Sequence, residues 1–164
     1  MYWHPYVYKL LMGLRYKNHY KERYEVINNI IAENSSVVDV CCGDSHLHSF
    51  IRHKNVQYLG LDFNSTFIKY SVKRGINAKL FNVYEDVVPY ADYIVLQASL
   101  YQFIPNHNQI LQKLYRAAGK YLIISETVKS YGGSANKFIS LIGEILNNPG
   151  DGVKKERFSA STFK

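Results

Sequence analysis

Five short apolar runs constrain what this chain can fold into: Val37 to Cys41, Gln57 to Leu61, Ala78 to Phe81, Tyr93 to Leu96 and Tyr121 to Ser125. Each is strand-length, and most lack the alternation of a half-exposed strand, so they suit a sheet buried on both faces. The stretches between them carry helix punctuation. Ser65 to Arg74 starts near Asn64 as a cap and stops at Gly75, and Asn108 to Ala118 stops at Gly119. Strand and helix in alternation predict a parallel, doubly wound α/β domain.

Flanking segments extend the helical pattern. Two helices are predicted first, over Tyr6 to Tyr16 and His19 to Glu33, the second with Tyr24, Ile27, Ile30 and Ile31 at helical spacing. After the fifth run, Ser134 to Asn147 reads as an amphipathic helix (Phe138, Leu141, Ile142, Ile145, Leu146) that NNPGDG breaks, and RFSASTFK as the start of another. At 164 residues, 47% of them apolar, the chain suits one domain with a core that needs no staples. Cys41 and Cys42 are the only cysteines; strand neighbours point to opposite faces, so a bond between them would strain the backbone, and a reduced, cytoplasmic protein is expected. No apolar run is long enough for a signal or a membrane span. The net charge of +7 admits nucleic acid, anionic metabolites or acidic surfaces as partners without choosing among them.

In an open α/β sheet, ligands bind beyond the carboxyl ends of the strands. There the chain carries Cys41-Cys42-Gly43-Asp44-Ser45, Asp62-Phe63-Asn64, Asn82-Val83, Gln97-Ala98-Ser99 and Glu126-Thr127. A tight turn at Gly43 lets backbone approach a ligand, Asp62 closes the second run where it can accept both hydroxyls of a ribose, and Asn82 with the Val83 amide can meet an adenine edge. The pattern describes an adenosine-shaped pocket rather than a phosphate clamp. A nicotinamide-dinucleotide site is disfavoured because its loop wants G-x-G-x-x-G, and this turn has one glycine. Adjacent cysteines lack the C-x-x-C spacing of a zinc or redox site and read as small buried fillers. His46 and His48 stand two apart, which on a helix separates them, so no metal is expected. His53 and His107 are expected to face solvent.

With these residues in order, the sequence resembles the class I S-adenosylmethionine-dependent methyltransferases of the small-molecule type. Their D-x-G-x-G-x-G turn appears as Asp39-Val40-Cys41-Cys42-Gly43-Asp44-Ser45, with Gly43 kept and Cys41 and Ser45 at the other two glycine positions. Any positive φ required at those two would carry strain. The likeness continues through Gly60-Leu61-Asp62, Phe81-Asn82-Val83 (where the family commonly has an aspartate), ADYIVLQASLYQFIPNHNQIL and KYLIISE, covering most of Ser36 to Glu126.

The resemblance implies a Rossmann-like, mostly parallel sheet of order 3-2-1-4-5 with helices on both faces. It implies an N-terminal helical lid over residues 1–34 and a cofactor-binding core over 35–164, which is C-terminally incomplete and lacks the family's final antiparallel β6-β7 hairpin. The implied cofactor is S-adenosyl-L-methionine, with S-adenosyl-L-homocysteine as product. It would be held by Asp39 (through indirect contact with the methionine amino group), Cys41, Cys42, Gly43, Asp62, Phe63, Asn82, Val83 and Gln97. Near the methyl group stand Gln97, Ser99, Tyr101 and Glu126, with Trp3, Tyr6 and Tyr16 from the lid; Gln97, Tyr101 and Glu126 are the catalytic candidates, none singled out. The expected acceptor is a small molecule. An RNA or protein methyltransferase, a cofactor-binding domain without turnover, and a homodimer through an exposed sheet edge stay open.

Overall fold

The computed structural model describes residues 19–126 together with Phe158 and Ser159, and the side chains from Lys21 onward. The helices expected over Tyr6 to Tyr16 and Ser134 to Asn147, the tail helix, the C-terminal stretch in which a final hairpin was expected to be lacking, and Trp3, Tyr6 and Tyr16 lie outside the described residues.

The elements run α1 (His19–Ile30), β1 (Ser36–Val40), α2 (His46–Ile51), β2 (Gln57–Asp62), α3 (Ser65–Lys73), β3 (Ala78–Leu80), β4 (Ala91–Gln97), α4 (His107–Ala117) and β5 (Ala118–Ser125), with short 3-10 turns at Arg52–Lys54 and Leu100–Phe103. The strands form one parallel sheet of order β3-β2-β1-β4-β5. Asp39 of β1 stands beside Gly60 of β2 and Val95 of β4, so the central strand carries an acid where its neighbours carry a glycine and an aliphatic residue.

Two apolar layers sandwich the sheet. On one face Tyr24, Ile27 and Ile31 of the α1 region pack with Leu47 and Ile51 of α2 against Val37, Tyr58, Tyr93 and Val95. On the other, Ile110 and Leu114 of α4 meet Val38, Val40, Ile94 and Leu96, and Phe158 joins them. Of the stripe expected at helical spacing, Tyr24, Ile27 and Ile31 are part of the core, whereas Ile30 is exposed. Asp92 ties the start of the sheet together: its carboxylate accepts from the Ser36 amide and hydroxyl (2.8 and 2.9 Å) and pairs with Lys120 at 3.0 Å.

Local signals account for most boundaries. Asn64 caps α3 by accepting from the Thr66 amide at 2.8 Å, and Gly75 beyond its end adopts φ +73°. Gly119 does not stop a helix as its position suggested. Helix α4 ends at Ala117, Ala118 is already extended, and Gly119 lies within β5. A Cβ at Gly119 would stand 2.6 Å from the hydroxyl of Tyr90, an exposed side chain that can move aside. Strand β4 starts two residues earlier than its apolar run, because Asp92, polar in sequence, is held by the Ser36 bonds. Among the described residues, no helix is long and apolar enough to cross a membrane.

Candidate functional site

The turn after β1 takes an unusual path. Cys41, Gly43 and Ser45 all lie in the left-handed region, at φ +57°, +54° and +54°. These are the three positions at which the D-x-G-x-G-x-G pattern has glycine, and two are filled here by residues with a Cβ. A left-handed non-glycine residue costs about 1–2 kcal/mol, so the turn persists only because its surroundings over-determine it.

The surroundings are specific. The Gly43 amide donates to Asp62 Oδ2 and the Asn64 amide to Asp62 Oδ1, both at 2.8 Å, so one carboxylate holds the turn after β1 and the turn after β2. The Cys42 amide donates to the Leu61 carbonyl (3.0 Å), and the Ser45 amide closes the turn onto the Cys42 carbonyl (2.9 Å). The Ser45 hydroxyl meets Ser71 of α3 at 2.9 Å. Gly60 makes the close approach possible. A Cβ there would lie 2.9 Å from Cys42 Sγ, 3.0 Å from Ser45 Oγ and 3.2 Å from Tyr58 Oη. At Gly43 a Cβ would meet nothing within 4 Å, so that face of the turn is open.

Beneath the turn lies a buried acid. Asp39 is 3% exposed and accepts from the Tyr58 hydroxyl at 2.8 Å. Burial pushes its carboxyl up to about 7; the Tyr58 bond pulls it down, and the Asp62 and Asp44 carboxylates push it up again. Asp62 is raised by burial and lowered by its two backbone donors. Burial likewise raises both thiols, Cys41 and Cys42, well above the ordinary cysteine value, so they are uncharged at neutral pH and stand as free thiols packed at the turn.

The remaining sequence candidates gather at the same end of the sheet. Phe63, next to Asp62, is 59% exposed. Asn82 follows β3, with its side-chain oxygen accepting from the Tyr84 amide (3.1 Å) and its own amide donating to Asp86 (2.7 Å); one lone pair of that oxygen is thus already engaged. Val83 is buried, and its carbonyl accepts from Lys113 at 2.7 Å. Gln97 ends β4 with its Oε1 buried and unpartnered among the described residues. Ser99 turns its hydroxyl onto the Gln97 carbonyl (3.0 Å), and the Tyr101 amide donates to the Glu126 carboxylate (3.2 Å), joining the ends of β4 and β5.

His46 packs on Tyr24 and Phe50, whereas His48 packs on Tyr58, so the pair diverges. His53 is exposed, but His107, expected in solvent, is half-buried with its ring 5.2 Å from Phe158. Three features escaped sequence reasoning: the Tyr58 hydroxyl on Asp39, the Ser45–Ser71 contact, and Ala98 at φ +49°. Only the strand register and the packing of α3 bring these groups together, and neither is written in local pattern.

The family model described as methionine biosynthesis protein MetW matches residues 21–132. No curated protein matches the sequence. Among solved structures, coclaurine N-methyltransferase bound to N-methylheliamine and SAH is 18% identical, with TM-score 0.56, over 63% of this chain and 35% of that one. A TehB-like SAM-dependent methyltransferase from Corynebacterium glutamicum is 15% identical, with TM-score 0.56, over 82% and 79%. A chain of the complex formed by the Haloferax volcanii Trm112 methyltransferase activator is 12% identical, with TM-score 0.64, over 95% and 71%. At these identities the likeness establishes the fold, which is that of the class I methyltransferases. The chain spans about a third of the coclaurine enzyme's length, 35%.

Two outcomes are expected. Cys41→Gly and Cys41→Ala both delete the thiol, but only glycine relieves the left-handed backbone. The glycine variant should exceed the alanine variant by about 1 kcal/mol in denaturant unfolding, the reverse of the usual order. Asp39, with its folded value raised from 3.8 to about 7, supports stability that is complete below 3.8 and is lost as pH rises through about 7. Wild-type stability measured against Asp39→Asn should therefore decline between pH 4 and 8, while the His48 contribution, lowered by burial, is common to both and cancels.

Proposed function

The chain belongs to the MetW family, and from that premise we propose that it is an S-adenosylmethionine-dependent methyltransferase acting on a small-molecule acceptor. The observation that carries this reading is the triply left-handed turn braced by Asp62, in register with the D-x-G-x-G-x-G pattern. The groups present fit an adenosylmethionine: an open glycine face at Gly43, a carboxylate at Asp62, and a buried acceptor at Gln97 Oε1 with no partner among the described residues. A pyrophosphate would not want the Asp39 carboxyl beneath the turn.

In this reading Asp62, with both oxygens already oriented by amides, accepts the ribose hydroxyls through its remaining lone pairs. Phe63 covers one adenine face, and Asn82 with Val83 meets the adenine edge. Gln97 accepts from the amino group of the methionine portion, which Asp39, buried beneath the turn, contacts indirectly. When bound, the sulfonium supplies an electrophilic methyl group. Transfer of that group needs mainly alignment and exclusion of water, with a base only where the acceptor keeps its proton. Glu126, fixed by the Tyr101 amide, is the candidate to take that proton. A small acceptor is favoured over nucleic acid because most of the excess positive charge lies before His19 and after Glu126, whereas the strand-end turns carry Asp44, Asp62, Glu85, Asp86 and Glu126.

Titration calorimetry with S-adenosylmethionine, S-adenosylhomocysteine and NAD tests the proposal. Both adenosyl ligands should bind, and Asp62→Ala should weaken S-adenosylhomocysteine by roughly tenfold or more, the scale of hydrogen bonds to a charged group. Binding of NAD alone, or no adenosyl binding by folded protein, would overturn it.

A further inference from the structure

Asp39 does not act alone beneath the turn. Its carboxylate takes the Tyr58 hydroxyl at 2.8 Å, and that hydroxyl shares the space over Gly60 with Ser45 Oγ and Cys42 Sγ, at 3.2, 3.0 and 2.9 Å from where a Cβ there would stand. Ser45 Oγ in turn touches Cys42 Sγ at 3.5 Å and Ser71 Oγ at 2.9 Å. A continuous polar strip therefore runs from the acid under the turn, through Tyr58, to two residues of the turn itself. Tyr58 and Ser45 are buried, and no step assigned above uses them.

We propose that Tyr58 is a positioning residue that holds Asp39 as an anion for the cofactor's ammonium group, and that ligand binding at this site is thereby coupled to the proton on Asp39. The proposal rests on the methyltransferase reading. An ammonium ligand favours the ionised acid, and the Tyr58 donor favours the same form, so the two act in one direction. The other groups facing Asp39 oppose or only partly assist. Asp62 of β2 and Asp44 of the turn disfavour the anion, Arg23 of α1 favours it, and burial disfavours it most. Cys41 and Cys42 stand beside it as uncharged thiols, and His48 of α2 packs its ring 5.1 Å from Tyr58. With burial so costly, the one short hydroxyl donor is the adjustable part of the balance.

The test compares two ligands over pH 5.5 to 8.5: S-adenosylhomocysteine, which carries the ammonium, and 5′-methylthioadenosine, which shares the nucleoside and lacks it. Wild-type affinity for the first should rise through about pH 7 and level off above it, while the second stays flat. Tyr58→Phe keeps the ring and removes one oxygen. It should move the rise to higher pH by about one unit, so that a loss of up to about tenfold at pH 7 recovers toward wild type at pH 8.5, with methylthioadenosine unaffected. Asp39→Asn should make the S-adenosylhomocysteine profile flat, and serves independently if the phenylalanine variant melts early. An equal loss at every pH, an equal loss for both ligands, or a pH dependence that survives Asp39→Asn would overturn the proposal. Failure of wild type to bind either ligand would instead overturn the methyltransferase reading.

Discussion

The hydrogen bond from the Gly43 amide to the Asp62 carboxylate is the contact on which the site depends. It joins the turns after two adjacent parallel strands, and it can form only because β1 and β2 are in the register that sets Val40 beside Leu61. That register is set by burial on both faces: Val37 and Tyr58 belong to one apolar layer, Val40 and Leu61 to the other. Slipping one strand by a residue would exchange the layers and separate the amide from the acid. Core packing thus fixes the geometry at the sheet's end, and the turn inherits it.

The turn is assembled against its own preferences. Two side chains occupy left-handed backbone, and two carboxyl groups raised by burial lie close enough that one pushes up the other. Strain and desolvation of this kind collect where a ligand is to be met, because groups satisfied by the protein alone have nothing left to offer. At the opposite end of the sheet the acid is engaged by the protein itself: Ser36 and Lys120 hold the Asp92 carboxyl down at about 2. Its role is to fasten strands.

The architecture was legible because its signals are local. Apolar runs marked all five strands, Asn64 and Gly75 marked α3, and the order of residues at the strand ends matched a known pattern closely enough to give the sheet order. What sequence missed is long-range. The Tyr58–Asp39 bond needs two strands in register, the Ser45–Ser71 contact needs α3 laid against the turn, and Gly119 lies inside β5 rather than at a helix end. His107 was expected in solvent, but it is half-buried with Phe158, distant in sequence, against its ring. The roles of individual strand-end residues toward a ligand are of this second kind.

Backbone amide chemical shifts, followed as S-adenosylhomocysteine is added, test most directly whether the braced turn is the cofactor seat. The account predicts that the largest changes fall at Cys41 to Ser45, Asp62 to Asn64 and Asn82 to Val83, three stretches far apart in sequence and joined only at the sheet's carboxyl end. Saturable binding with those amides unmoved, and the changes gathered instead around Ser36, Asp92 and Lys120 at the other end, would contradict it.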